Sequence, residues 1–217
     1  MLILGLTGSI AMGKSHTARL FRAMGVPVCD ADALVHDLFR PGGAAVGPVG
    51  AAFPEAVDPG RGIDRGALGR RVLGDRAALR RLEALVHPLV REAQRRFLEA
   101  QCRAGRPLVV LDIPLLFETG GLDRVDRVVV VSAHPLVQEQ RALRRPGMSP
   151  ARLAAIRAEQ TPDAEKRRRA DFLIASGADR GRTAEAVATI VRRLRGERGR
   201  VWPDRWLAAG RPLGRRS

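Results

Sequence analysis

Leu2-Ile3-Leu4-Gly5-Leu6-Thr7-Gly8-Ser9-Ile10-Ala11-Met12-Gly13-Lys14-Ser15 is the stretch that decides the fold class. Its first five residues, bounded by Thr7-Gly8, make a short apolar run suited to a parallel strand buried on both faces. Gly8 to Ser15 then matches the pattern G-x-x-x-x-G-K-S/T. From Ser15 to Met24 the apolar positions Ala18, Phe21 and Met24 recur at helical spacing, until Gly25 and Pro27 end the helix. A glycine-rich turn between strand and helix aims backbone N–H groups at phosphate oxygens, and the positive end of the helix adds to their attraction. Gly8, Ala11, Met12, Gly13, Lys14, Ser15 and His16 are therefore the candidate nucleotide-binding residues. The glycines permit the tight path, Lys14 reaches the β- and γ-phosphates of ATP, and the Ser15 hydroxyl holds Mg²⁺.

Working outward, the alternation continues. A second strand is predicted at Val26 to Cys29, whereas the glycine, proline and alanine of Pro41 to Gly62 predict a loop or loose bridge. Leu79, Leu82, Leu85, Val86, Leu89 and Val90 form an apolar stripe that Pro88 interrupts and that resumes at Phe97 and Leu98, a long kinked helical region. Leu108 to Leu111 and Val125 to Val131 read as buried strands. Helices follow over Pro135 to Arg145 and Ser149 to Arg169, separated by Pro146-Gly147. A fifth strand at Phe172 to Ala175 and a helix from Thr183 to Leu194 complete the pattern. Strands alternating with helices specify a three-layer α/β fold, a parallel five-stranded sheet covered on both faces, with ligands at the carboxyl ends of the strands.

The 217 residues, 45% hydrophobic and 28% charged, suffice for one sizeable core with one or two insertions. No apolar run approaches the roughly 20 residues of a membrane span, and the glycine-rich turn comes too early to leave room for a secretory leader, so a cytoplasmic protein with no membrane partner is expected. Cys29 and Cys102 lack metal-ligand spacing, which argues against a zinc site or a disulfide framework. The net charge of +15 comes from 38 basic residues, of which only Lys14 and Lys166 are lysines. Arginine excess alone supports neither nucleic-acid binding nor a phosphate-rich substrate. With no tyrosine and 4% aromatic residues the chain lacks a stacking platform, so no nucleic-acid partner is expected and a nucleic-acid-associated ATPase ranks third among the readings. Nine arginines against Glu197 and Asp204 from Ile190 to Ser217, with no helical periodicity, make residues 197–217 a basic tail, read as weakly ordered and solvated.

Further candidates follow the strands. Asp30-Ala31-Asp32 can supply a carboxylate that accepts the proton of an acceptor hydroxyl, or a cap for a helix from Ala31 to Phe39; spacing does not choose between the two aspartates. Asp112 ends a strand near the phosphate loop and is a candidate Mg²⁺ ligand through water, or a turn residue. Between Gln140 and Ala170 lie nine basic residues against Glu159, Asp163 and Glu165. Arg141 and Arg145, four apart on one helix face, are candidates for a lid that closes on the phosphates, and a solvated face describes most of the others.

Taken in order, LGLTGSIAMGKS at Leu4 to Ser15, GVPVCDAD at Gly25 to Asp32, LVHPLV at Leu85 to Val90, IPLLFETG at Ile113 to Gly120 and RADFLI at Arg169 to Ile174 resemble the dephospho-coenzyme A kinase family. The resemblance covers about Leu2 to Leu194. It implies a P-loop kinase domain over residues 1–196, with a helical substrate-binding region at about 40–105 and a helical lid at about 138–170. The implied reaction is phosphorylation of the ribose 3′-hydroxyl of dephospho-coenzyme A by ATP, with Asp32 as base. His87, Pro88, Leu115, Leu116 and Phe117 would line the acceptor, and Arg141 with Arg145 would belong to the lid. A nucleoside monophosphate kinase shares the sheet, loop and lid and is the alternative. Two departures stand out: His16 replaces the usual threonine, and Ala175-Ser176 replace a common Asp-Asn.

Overall fold

The computed structural model describes residues 1–177 and 179–208. The chain forms two compact units, one of Met1–Cys29 with Ala100 onward and one of Asp30–Glu99. The first opens with β1 (Leu2–Thr7), buried along its whole length. The glycine-rich loop then leads into α1 (Lys14–Ala23), and β2 (Val28–Asp30) follows.

The second unit is helical. It contains α2 (Ala31–Phe39), α3 (Val46–Ala52), a 3-10 turn at Pro54–Ala56, a two-residue hairpin of β3 (Val57–Asp58) and β4 (Gly62–Ile63), α4 (Arg65–Val72), and the first part of α5 (Arg76–Arg103). The predicted loop from Pro41 to Gly62 is thus structured. Ala45, Val49, Phe53 and Ala56 recur at three- and four-residue spacing and are all buried in the unit's core with Phe39, Ile63, Leu68 and Val86. Gly62 is required by close approach: at φ 88 a Cβ would lie 2.2 Å from the carbonyl oxygen of Phe39. α5 runs unbroken through Pro88. Ala84 and Pro88 are both exposed, so the carbonyl that loses its donor faces water.

Beyond α5 the first unit resumes with β5 (Leu108–Asp112), β6 (Arg127–Ser132), α6 (Pro135–Leu143), α7 (Pro150–Glu159), α8 (Asp163–Arg168), β7 (Phe172–Ala175), α9 (Arg180–Leu194) and α10 (Asp204–Ala208). The five-stranded sheet has the order β2-β5-β1-β6-β7. β1 pairs in parallel with β5 (Leu2 opposite Leu108) and β6 (Leu4 opposite Arg127), and β6 with β7. This places the ends of β1, β5 and β6 side by side. Leu4, Leu6, Ala18, Phe21, Val110, Val129, Ile174, Val187 and Leu194 form the core on which α1 and α9 pack.

Two further expectations are corrected. The helix predicted over Ser149 to Arg169 is two helices, because Pro162 disfavours helical backbone at the residue before it. The tail is ordered as far as it is described. Asp126 accepts hydrogen bonds from the backbone of Arg200 and Val201, Glu197 pairs with Arg127 at 2.9 Å, and Val201 and Trp206 are buried. Residues 209–217 lie outside the described residues.

Candidate active site

The loop after β1 is shaped by two glycines. A Cβ on Gly8 would lie 2.6 Å from the carbonyl oxygen of Val131 in β6, and Gly13, at φ 93, turns the chain into α1 through the left-handed region. Ala11 also sits at positive φ, 60°, a conformation that costs a non-glycine residue about 1 kcal/mol or more. The Nζ of Lys14 lies 2.6 Å from Oδ1 of Asp112, whose side chain is only 1% exposed at the end of β5. The two candidates are therefore brought together by the pairing of β1 with β5. Ser15, in the first turn of α1, is exposed.

The segment read as a lid is packed on this loop. Ile10 N–H donates to Oε1 of Gln160 (3.0 Å), and its carbonyl accepts from Nε2 of Gln138 (2.8 Å). Ala11 packs with Ala142 and Leu153. On the other side, the Ser176 hydroxyl donates to the carbonyl of Met12. Arg141 donates to the Ser176 hydroxyl at 3.0 Å and to the carbonyls of Ser176 (2.6 Å) and Gly177 (3.2 Å). Arg145 is exposed and lies past the end of α6, so it does not continue the helical face of Arg141 as the spacing predicts.

Beside the loop is a cavity of about 760 Å³, with Gly13, His16, Arg19, Arg141, Ser176 and Asp179 among its walls. The His16 backbone N–H is turned to the carbonyl of Gly13 at 3.1 Å, and its Nε2 is buried without a hydrogen-bond partner among the described residues. Of the three candidate acceptor-lining residues after β5, Leu115 is exposed, whereas Leu116 is fully buried under Gly5 and Phe117 nearly so. Leu116 thus packs against β1 and cannot line a ligand as it stands.

In the second unit the aspartates of DAD divide their work. Oδ1 of Asp30 accepts from the N–H groups of Asp32 (3.0 Å) and Ala33 (3.2 Å), capping α2. Asp32 is exposed in the first turn, and its carboxylate has no hydrogen-bond or ion-pair partner among the described residues. His87 and Pro88 are exposed on α5.

Sequence reasoning missed Glu118 and Lys166. Lys166, grouped with solvated cations, is completely buried, and its Nζ lies 2.8 Å from Oε1 of Glu118. Burial pushes the Glu118 carboxyl up, but the Lys166 ammonium and backbone N–H groups, that of Thr161 among them, outweigh it and hold the group below its ordinary value. The available signal was the rarity of lysine in an arginine-rich chain.

A β1 strand, glycine-rich loop and part-buried lysine–aspartate pair are common to many nucleotide enzymes, and comparison with known proteins narrows them. The dephospho-CoA kinase family model matches residues 2–180. The chain belongs to the dephospho-CoA kinase family. It is 55% identical over 199 residues to a dephospho-CoA kinase from Mesorhizobium japonicum, covering 92% of this chain and all of that relative. A dephospho-CoA kinase from Paramagnetospirillum magneticum is 60% identical over 167 residues, 77% of this chain and 78% of that one. A crystal structure from Thermus thermophilus, 36% identical, superposes with a TM-score of 0.74 over 88% of this chain and 96% of that one. The matched residues take in the glycine-rich loop and the DAD, HPL and PLLFE segments of this chain.

Proposed function

We propose that this protein phosphorylates the ribose 3′-hydroxyl of dephospho-CoA with ATP, yielding coenzyme A and ADP, the last step of coenzyme A synthesis. The observation that carries the proposal is the Lys14–Asp112 pair at the mouth of the glycine-rich loop, in a chain of this family. Lys14 is held where β1 and β5 end, and phosphate oxygens entering the loop would compete with Asp112 for its ammonium. Transfer forms a bond from the 3′-oxygen to the γ-phosphorus and breaks the bond to the bridging oxygen, which leaves with ADP. Asp32 takes the hydroxyl proton, a role favoured by its carboxylate having no other partner among the described residues, while Asp30 is used by the helix cap.

Ser15 and Asp112 are the residues to hold Mg²⁺. Both offer hard oxygen donors, and no cluster of three or more metal-ligating side chains exists among the described residues, which suits an ion that takes most of its ligands from phosphates and water. When bound, the ion neutralises developing phosphate charge. Arg141 borders the cavity beside Gly13 and would face the donor nucleotide, and Arg145 would reach it only if the lid segment moves. His87, Pro88 and Leu115 are exposed surfaces for the acceptor. Among the described residues no helix is long and apolar enough to cross a membrane, and we place the enzyme in the cytoplasm.

The test is acceptor selectivity. kcat/KM for dephospho-CoA should exceed that for AMP or adenosine at least ~100-fold, because binding energy from the pantetheine arm lowers the barrier. The new phosphate should sit on the 3′-oxygen. Equal rates with AMP, or phosphate added to a nucleotide 5′-phosphate, would move the chain to the monophosphate kinases.

A further inference from the structure

Two loops that serve different substrates are fastened to one short segment. Gln160 and Thr161, between α7 and α8, are adjacent in sequence and hold one loop each. The Gln160 side chain accepts the Ile10 N–H of the phosphate loop at 3.0 Å. The Thr161 N–H donates to Oε1 of Glu118, at the end of the Ile113–Glu118 loop, at 2.8 Å. The same Oε1 is 2.8 Å from Nζ of Lys166, which is 0% exposed. That contact is an ion pair rather than a well-aligned hydrogen bond, since the ammonium has no hydrogen-bond partner among the described residues and Oε2 of Glu118 is likewise buried and unpartnered. A buried ammonium left without its counterion is strongly unfavourable, so the pair resists separation of loop and segment. A second contact reinforces it: the Arg169 guanidinium lies 5.0 Å from the ring centroid of Phe117.

We propose that Lys166 and Glu118 are positioning residues for the acceptor: their ion pair fixes the loop carrying Leu115 relative to the segment that holds the phosphate loop, and so sets donor and acceptor in register. The inference rests on the reading above that Leu115 meets the acceptor. Neither side chain touches the reacting atoms. The donor side has its own ties through Ser176 and Gln138, so loss of the pair acts on one substrate selectively.

Lys166→Met removes the charge and keeps much of the volume. In this variant KM for dephospho-CoA should rise ~10-fold or more while KM for ATP stays within about twofold, as expected when a positioned loop shifts by a fraction of an ångström. Hydrogen exchange at Leu116–Glu118 and Thr161 should accelerate, with the amides of Met12–Ser15 unchanged. Glu118→Gln, which keeps an acceptor for the Thr161 N–H, should show the same split more weakly, and it carries the test if Lys166→Met does not fold. Equal changes in both KM values, a fall in kcat alone, or unchanged exchange in these loops would overturn the positioning role. The exchange readout needs no substrate. Failure of the wild-type protein to phosphorylate dephospho-CoA would instead defeat the function assigned to the site, and loop exchange would still decide whether the pair holds the loop.

Discussion

The phosphate loop and the DAD turn are both short strand-to-helix junctions, yet they use their polar groups in opposite ways. In the first, Ile10 and Met12 are tied through Gln160, Gln138 and Ser176, and Lys14 is paired with Asp112. In the second, Asp30 caps the helix backbone and the Asp32 carboxylate has no partner among the described residues. The difference fits the tasks proposed for them. A loop that receives triphosphate charge gains from donors fixed in advance, because no reorganisation is needed during reaction. A base that must accept a proton from a mobile hydroxyl gains from being free of competing donors.

The sharpest way to break the comparison is Lys14→Ala. It should fold normally and lose transfer by ~10³-fold, since one preorganised charge at the reacting phosphate contributes several kcal/mol. Substantial remaining activity in a coupled ADP-release assay would show that the tied loop is scaffolding only. Next, the two aspartates should separate. Asp32→Asn should lower kcat by ~10²-fold or more with ATP affinity and melting temperature preserved. Asp30→Ala should instead lower stability by about 1 kcal/mol through loss of the cap. If Asp30→Ala damages kcat more than Asp32→Asn, the division of labour is reversed.

The smallest effect is a pH dependence. The Glu118 carboxyl lies below its ordinary value when folded, so its contribution to stability is complete above the unfolded value and is lost as pH falls through the folded one. Denaturant unfolding of wild type and Glu118→Gln should differ most at neutral pH. The difference should narrow below the ordinary carboxylate range, by no more than about 1 kcal/mol, given the solvent that still reaches the group. A gap independent of pH would mean that the pair acts by shape alone.

What the sequence reveals is whatever is local. The glycine-rich loop, the five strands and the long helix follow from runs and periods within about 30 residues. Strand ends are less legible: the second strand, predicted at Val26 to Cys29, is Val28–Asp30. Pairing with a neighbour sets its limits, and the apolar run does not. Residues 41–62 read as a loop because glycine and proline obscure the spacing of Val49, Phe53 and Ala56. Lys166 read as solvated because the residues around it are charged, and nothing near it in sequence announces Glu118. Ser176 is legible only as a departure from a family pattern, since its partner is a backbone carbonyl that carries no side-chain signature.

The strand order has a consequence for how the site comes into being. β1 is the middle strand, and both of its neighbours, β5 and β6, come from beyond residue 107. During synthesis the phosphate-binding sequence emerges first and has nothing to lie against until Leu108–Asp112 and Arg127–Ser132 follow it. Its carbonyl tether to Ser176 comes later still. The stretch that declares the chemistry earliest in the sequence is therefore among the last to acquire it on the ribosome, and a nascent chain halted before about residue 130 carries the motif with no competent nucleotide site.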